Sequence, residues 1–416
     1  MGGPAGGSRD RQDGGIMTNH IDRDQHGAPA LASRLRAARE SKGLTQAQAS
    51  SELGVSRPLL IAIEKGTRDA SPEETVRLAE IYGKSASELL RPSAPPVAIG
   101  ARFRAALASA PDASQLSGAV TRLEDQADNY LDLLRRAKTD APGRYPAARS
   151  ISHLDPWQAG EDLATEERNR LGLGDGPIRQ LREVLEIEVG LRVFLLPLPR
   201  HVAGLFVFVE ELGGCIGVNI SHPAERRRWT MAHEYAHYMA TRDRAEVTPV
   251  SQRRQPDSER FADAFAANFL MPRSGLSRRF HELKRSKDGK VTPATLVQLA
   301  HAYGVSVQAL TLRLEDLRLV PPGTWDRLSD NDFQPRAAAR ILGIETDEKT
   351  AEALPLHYRL LAVQLYADGE ITEPQLARYL NTDIVGARRT YQELTETRDV
   401  SDDGSLQIVD LSEAAG

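Results

Sequence analysis

One cysteine, Cys215, in 416 residues excludes an intramolecular disulfide framework and any zinc finger built on thiolates. A metal in this chain therefore has to be held by imidazole and carboxylate, and the lone thiol is expected as core filler. No apolar run approaches the roughly eighteen residues that a membrane span requires, and the N-terminus lacks the basic-then-apolar layout of a secretory signal. The expected location is therefore the cytoplasm, with no membrane partner. A basic excess is missing too. The net charge of -5 argues against nucleic-acid binding over the whole surface and leaves that role to a single domain.

What is present falls into blocks. The length and a hydrophobic content of 40% suffice for roughly two to four domains. Residues 1–28 are rich in Gly, Asp and Arg without an apolar period and read as disordered. Leu31, Leu35 and Ala38 then recur at helical spacing. Thr45 is placed to cap a short helix ending at Leu53-Gly54, and Val55-Ser56 opens another that closes at Lys65-Gly66. With Leu44, Ala49, Leu53, Val55, Leu60 and Ile63 facing inward, this pair is a helix-turn-helix, covered by further helices at 72–82 and 85–90. The domain is expected over 29–92. Its charge is nearly balanced, ten Lys and Arg against eight Asp and Glu. Of the outward positions Arg57, Pro58, Ile61 and Ala62, only Arg57 offers a donor to a base edge.

Pro92 to Pro96 ends this block, and residues 93–150 read as a helical linker, either a spacer or a homodimer element, with Leu123, Ala127, Tyr130, Leu131 and Leu134 as its stripe. Helices around 158–171 and 178–189 lead into 191–196, a run that reads as a buried strand. Segments 204–209 and 215–218 bracket Gly213-Gly214 as a β-hairpin. A small sheet ahead of a metal-binding helix matters mechanistically, because an edge strand holds a peptide extended by backbone hydrogen bonds. Beyond Pro321-Pro322, helices at 358–366, 373–380 and 384–394 precede two short segments divided by Asp402-Asp403-Gly404. They predict a helical module over 321–416, either a plain cap on the preceding domain or a winged-helix-like sensor or partner-binding module.

His233-Glu234-Tyr235-Ala236-His237 is the chemically most specific stretch. Positions i and i+4 share a helix face, so His233 and His237 can hold one metal ion while Glu234 leans toward the water completing its shell. About twenty residues later a second helix places Glu259 and Asp263 on one face, with Phe261, Phe265 and Phe269 on another and Asp257-Ser258 as its N-cap. Glu259 is the expected third ligand, and Asp263 the acceptor that fixes an imidazole tautomer. Such a set suits zinc, and also manganese or iron. Tyr235 and Tyr238 are expected to pack, and Arg226-Arg227-Arg228 to form a solvated helix start.

Two resemblances follow from these residues. Leu44-Thr45-Gln46 through Leu53-Gly54-Val55-Ser56 to Ile63-Glu64-Lys65-Gly66 resembles the XRE-type (Cro and phage-repressor-like) helix-turn-helix. The resemblance implies a third helix in the major groove of operator DNA, with Gln46 on a phosphate and Ser56, Arg57 and Lys65 as further contacts. Pro177-Ile178, Leu185-Glu186, Gly204-Leu205, Val218-Asn219, Arg228-Trp229-Thr230-Met231-Ala232-His233-Glu234 and Phe265-Ala266-Ala267-Asn268-Phe269-Leu270-Met271-Pro272 resemble the ImmA/IrrE family of metallopeptidases. That resemblance implies a gluzincin-like domain over 151–320. It also implies one zinc on His233, His237 and Glu259, Glu234 as general base, and a transcriptional repressor as protein substrate. The expected fold class is α+β, mainly helical: an all-α helix-turn-helix domain, a metallopeptidase domain with a small sheet, and a helical C-terminal region. The expected function is a zinc-dependent endopeptidase coupled to transcriptional regulation. The alternative is a DNA-binding regulator or antitoxin-like protein whose peptidase domain is a non-catalytic sensor or scaffold.

Overall fold

The computed structural model describes residues 28–42, 44–83, 86–90, 99–103, 113–141, 146–149, 154–242, 245–250, 256–344, 352–395, 397–400 and 406–409. The segment expected to be disordered lies, but for residue 28, outside the described residues, as does the Pro92–Pro96 break. The chain divides into two compact units, residues 1–95 and 96–416.

The first unit is all-helical: α1 (Ala28–Ser41), α2 (Gln46–Leu53), α3 (Arg57–Glu64), α4 (Pro72–Tyr82) and α5 (Ala86–Leu90). Local chemistry sets these limits. Thr45 and Gln48 form a reciprocal capping box at the start of α2, and Gly54 ends it in the left-handed region at φ 79°. Ser71 and Glu74 repeat the box at α4. Leu35, Ala49, Leu53, Leu60, Ile63, Leu78 and Tyr82 make one buried core. Through it runs an ion pair, Arg39 Nε to Glu64 Oε1 at 2.6 Å, with Arg39 also donating to the Leu44 carbonyl at 2.8 Å.

The second unit is built on a four-stranded mixed sheet of order β1-β3-β2-β4: β1 (Arg192–Leu196), β2 (Val202–Val209), β3 (Gly213–Asn219) and β4 (Glu246–Pro249). β1 runs parallel to β3, while β2 pairs antiparallel with both β3 and β4. Strand alternation divides the side chains between two cores. Val193, Leu195, Phe206, Ile216 and Val218 enter one, and Phe194, Leu196, Leu205, Val207, Val209 and Cys215 the other. A sheet covered by helices on both faces has to be apolar on both, which explains why these strands read as continuous hydrophobic runs. Cys215 is core filler as expected, its thiol pushed up to about 12 by burial.

The first face is covered by α8 (Pro156–Arg170), α9 (Leu181–Glu183, continuing as a π-helical turn Val184–Val189), α10 (Ala224–Ala240), α11 (Asp257–Leu270), α12 (Arg273–Ser286), α13 (Pro293–Tyr303) and α14 (Val307–Asp316). Helices α15 (Thr324–Asp330) and α16 (Pro335–Ile341) also lean on this core, through Trp325, Leu328, Phe333 and Ala339. The second face is covered by α6 (Ile99–Arg102), α7 (Ala113–Ala137), α17 (Leu356–Ala367), α18 (Glu373–Tyr379) and α19 (Ile384–Thr395). A two-stranded hairpin, β5 (Thr397–Val400) and β6 (Leu406–Val409), follows α19.

Three sequence readings change in this frame. The segment read as a linker supplies α7, whose buried Leu116, Leu123, Ala127, Tyr130 and Leu134 make it a layer of the second core. In 321–416, the residues up to Ile344 pack with the metal-bearing half, and Leu354 to Leu394 with the opposite face. The outer edge of the hairpin is not open, because β4 pairs along β2 with Thr248 opposite Gly204. β4 had no legible signal, being four residues that include a proline, without alternation.

Candidate metal centre

Helix α10 is buried almost throughout from Thr230 to Met239, which is unusual for a segment holding two histidines and a glutamate. Ala232 and Ala236, both fully buried, keep its surface low so that α11 can lie against it. α11 starts at Asp257 behind Pro256, so Asp257 is the first helical residue and not the cap. That start puts Glu259 in the first turn, where the positive end of the helix dipole favours a carboxylate. α8 holds α11 in place. A Cβ on Gly160 of α8 would lie 2.7 Å from both the Phe261 carbonyl and the Phe265 amide, so only glycine permits that approach.

These elements bring His233, His237 and Glu259 together, one ligand atom of each within 4.8 Å of the others, and all three residues are buried. His233 Nε2 and His237 Nε2 are 3.2 Å apart, and each lies 3.2–3.3 Å from a Glu259 oxygen. Tetrahedral zinc with ligand bonds of about 2.0–2.1 Å separates its ligand atoms by about 3.3 Å, so the donor set fits the ion. The opposite ring nitrogens are occupied. Asp263 Oδ1 lies 3.0 Å from His233 Nδ1 and also accepts from Trp229 Nε1 at 3.4 Å, while Thr241 Oγ1 lies 3.3 Å from His237 Nδ1. Holding a proton at each Nδ1 turns both Nε2 lone pairs inward. The sequence reading reached Asp263 but missed Thr241, which sits one turn beyond His237 and carries no motif.

The electrostatics follow from burial and pairing. Burial works to lower the His233 imidazole, but Asp263 and Glu259 outweigh it and raise its pKa to about 10. Burial opposes ionisation of Glu259 as well, yet the two imidazoles hold it well below the usual carboxylate range. Glu234 shifts the other way. Complete burial raises it, against the pull of His237 and His233. Among the described residues both of its oxygens are buried without a well-formed hydrogen bond, and so is the Thr248 hydroxyl, which still lies close enough to favour the charged carboxylate.

β2 passes directly over this carboxylate. A Cβ on Gly204 would sit 2.5 Å from Glu234 Oε1 and 2.6 Å from Thr230 Cγ2. Gly204→Ala is therefore expected to displace Glu234 and to cost about 1–3 kcal/mol through overpacking. Denaturant unfolding beside metal analysis checks this: lower stability with metal uptake retained is the expected pair of results, because the atoms nearest to the added Cβ belong to Glu234 and Thr230.

Other sequence candidates fall elsewhere. The Tyr235 hydroxyl bonds Glu167 and Arg170, which leaves it packed and paired as expected. Arg228 is not a solvated helix start: its guanidinium binds the carbonyls of Gly304, Arg179 and Ile178. In the first unit Ser56, Arg57 and Lys65 are exposed, and the half-buried Gln46 donates to Glu64 Oε2 at 3.0 Å.

Among known families, the model for the IrrE N-terminal-like domain of peptidase type M78 matches residues 188–315, and a helix-turn-helix domain model matches residues 32–92. The first match spans β2, α10 and α11 and so contains His233, Glu234, His237, Thr241, Glu259 and Asp263. No curated protein matches the chain. Among solved structures it is similar to ComR from Streptococcus suis, at 11% identity over 88% of each chain, with a TM-score of 0.15, too low to indicate a shared fold. No helix among the described residues is long and apolar enough to cross a membrane. The chain thus carries a helix-turn-helix domain followed by an IrrE N-terminal-like domain of the M78 peptidase type.

Proposed function

We propose that this protein is a zinc-dependent endopeptidase coupled to transcriptional regulation, and that it cleaves a repressor protein. The observation that carries the reading is Glu234: a fully buried carboxylate, close only to the Thr248 hydroxyl and without a well-formed hydrogen bond among the described residues, beside a convergent His, His, Glu set. A purely structural metal site has no use for that group. Leaving it unpaired costs about 1–3 kcal/mol, more for a charged group, so its retention calls for a chemical role.

His233, His237 and Glu259 would hold the ion, with Asp263 and Thr241 orienting the imidazoles. When bound, zinc supplies Lewis-acid polarisation of a carbonyl and an acidified water. Glu234 takes the proton of the attacking water on one carboxylate oxygen and returns it to the amine of the departing peptide. The raised pKa of the buried carboxyl suits both halves of that transfer. The repressor as substrate, and operator DNA as a second partner, rest on the helix-turn-helix carried in the same chain.

Metal content by mass spectrometry on wild type and Glu259→Ala tests the reading. About one zinc per chain, lost or sharply reduced in the variant, is expected for a three-ligand site. No metal in the wild type, and none taken up from added zinc, would overturn it in favour of a regulator whose peptidase domain is non-catalytic. Manganese or iron at the same stoichiometry would keep the site and change the ion.

A further inference from the structure

The last described helices of the second unit repeat, in backbone detail, the helix-turn-helix of the first. Thr372 and Gln375 form a capping box at the start of α18, as Thr45 and Gln48 do at α2. The turn Leu380-Asn381-Thr382-Asp383 matches Leu53-Gly54-Val55-Ser56. Asn381 takes the left-handed conformation at φ 53° where Gly54 does at φ 79°. The Thr382 amide donates to the Ala377 carbonyl at 3.0 Å, and the Val55 amide donates to the Ser50 carbonyl at 3.0 Å. Asp383 precedes α19 as Ser56 precedes α3, and it accepts from the Gly386 amide at 2.7 Å, a cap bond that the Ser56 side chain does not make. Buried Leu376, Ala377, Leu380 and Ala387 stand where Ala49, Ser50, Leu53 and Leu60 stand, all at one constant offset along the chain.

The surroundings complete a recognisable architecture. α17 packs behind the pair, the Tyr358 hydroxyl donating to the Tyr379 carbonyl at 2.9 Å. After α19 the chain enters the β5–β6 hairpin, with Thr397 opposite Val409 and Val400 opposite Leu406. A helix, a helix-turn-helix and then a two-stranded hairpin is winged-helix topology.

α19 buries Ala387, with Tyr391 and Leu394 leaning on the core. Its opposite face presents Val385, 64% exposed, with exposed Arg389 and Gln392 at i+4 and i+7. Arg388 is engaged by Glu373 of α18, at 2.5 and 3.0 Å. Arg389 and Gln392 have no partner among the described residues.

We propose that this module is a second duplex-DNA reader, with α19 in the major groove and Arg389 and Gln392 at base edges. An arginine fork matches the O6 and N7 acceptors of guanine, a glutamine amide matches the N6 and N7 of adenine, and an exposed valine suits the thymine methyl. Residues 352–395 hold four Arg against six Asp and Glu, so little of the affinity can come from phosphates. A shallow salt dependence follows. The assignment does not rest on the metal centre.

The test uses the full chain and a pool of duplexes of about 30 base pairs with a randomised centre. The wild type is expected to enrich a sequence in which Arg389→Ala relaxes the preference at one base position and raises Kd about ten-fold. Gln392→Ala should relax a neighbouring position, with circular dichroism unchanged because both side chains are exposed. A photo-crosslinker replacing Val385 should attach to the duplex. Unchanged Kd and preferences in both variants, with binding lost in Arg57→Ala, would overturn the proposal. So would crosslinking of position 385 to protein alone, which would make α19 a protein-docking face.

Discussion

Replacing Glu234 by glutamine is expected to leave metal content intact and to lower proteolysis by about 10²–10⁴-fold, the usual contribution of a positioned general base. Glutamine keeps the volume of the side chain and one oxygen, so β2 and Thr230 can keep their packing. It removes the ability to hold a proton from the attacking water. The companion change His237→Ala removes a ligand and is expected to lose metal and proteolysis together, which separates the two roles. Full proteolysis of a validated protein substrate by Glu234→Gln would sink the mechanism, whatever the metal analysis shows.

The second large effect concerns stability and lies in the first unit. Glu64 is 6% exposed and accepts from both Arg39 and Gln46, so Glu64→Ala leaves a buried guanidinium with only the exposed Glu40 carboxylate, 3.4 Å away, as counter-charge. Breaking a buried pair in this way costs about 3–5 kcal/mol. A unit of some sixty ordered residues is stable by about 3–9 kcal/mol in total. Amide hydrogen exchange on the full chain should therefore show α1 to α3 exchanging far faster in the variant while α10 and α11 keep their protection. The double change Arg39→Met with Glu64→Met is expected to recover most of the loss, since a well-packed apolar pair needs no counter-charge. A loss below about 1 kcal/mol in Glu64→Ala would mean that water reaches the guanidinium and that the pair is not the keystone of this small core.

The expected positions of α2, α3 and α4 agree with the structure to within a residue because their limits are written in adjacent residues: Thr45 with Gln48, Ser71 with Glu74, and Gly54 at positive φ. The His233–His237 pair was legible for a similar reason. A spacing of four on a helix is a statement about distance, made by the backbone alone. Glu259 and Asp263 were legible one step less directly, as a pair at the same spacing on a following helix.

By itself, then, the sequence determined the limits of α2 to α4, the metal-binding candidates on α10 and α11, and the helix-turn-helix at the start. Only the tertiary structure decided that α7 is a core layer, that β4 closes the edge of β2, that Thr241 backs His237, that Gln46 turns to Glu64, and that Glu234 lies under Gly204 without a well-formed hydrogen bond among the described residues. The physical reason is the range of the interactions. Capping and helical periodicity act across three or four residues, where the covalent chain already fixes the distance. Strand pairing, imidazole support and the desolvation of one carboxylate depend on which distant segments meet, and that is set by the packing of both cores at once.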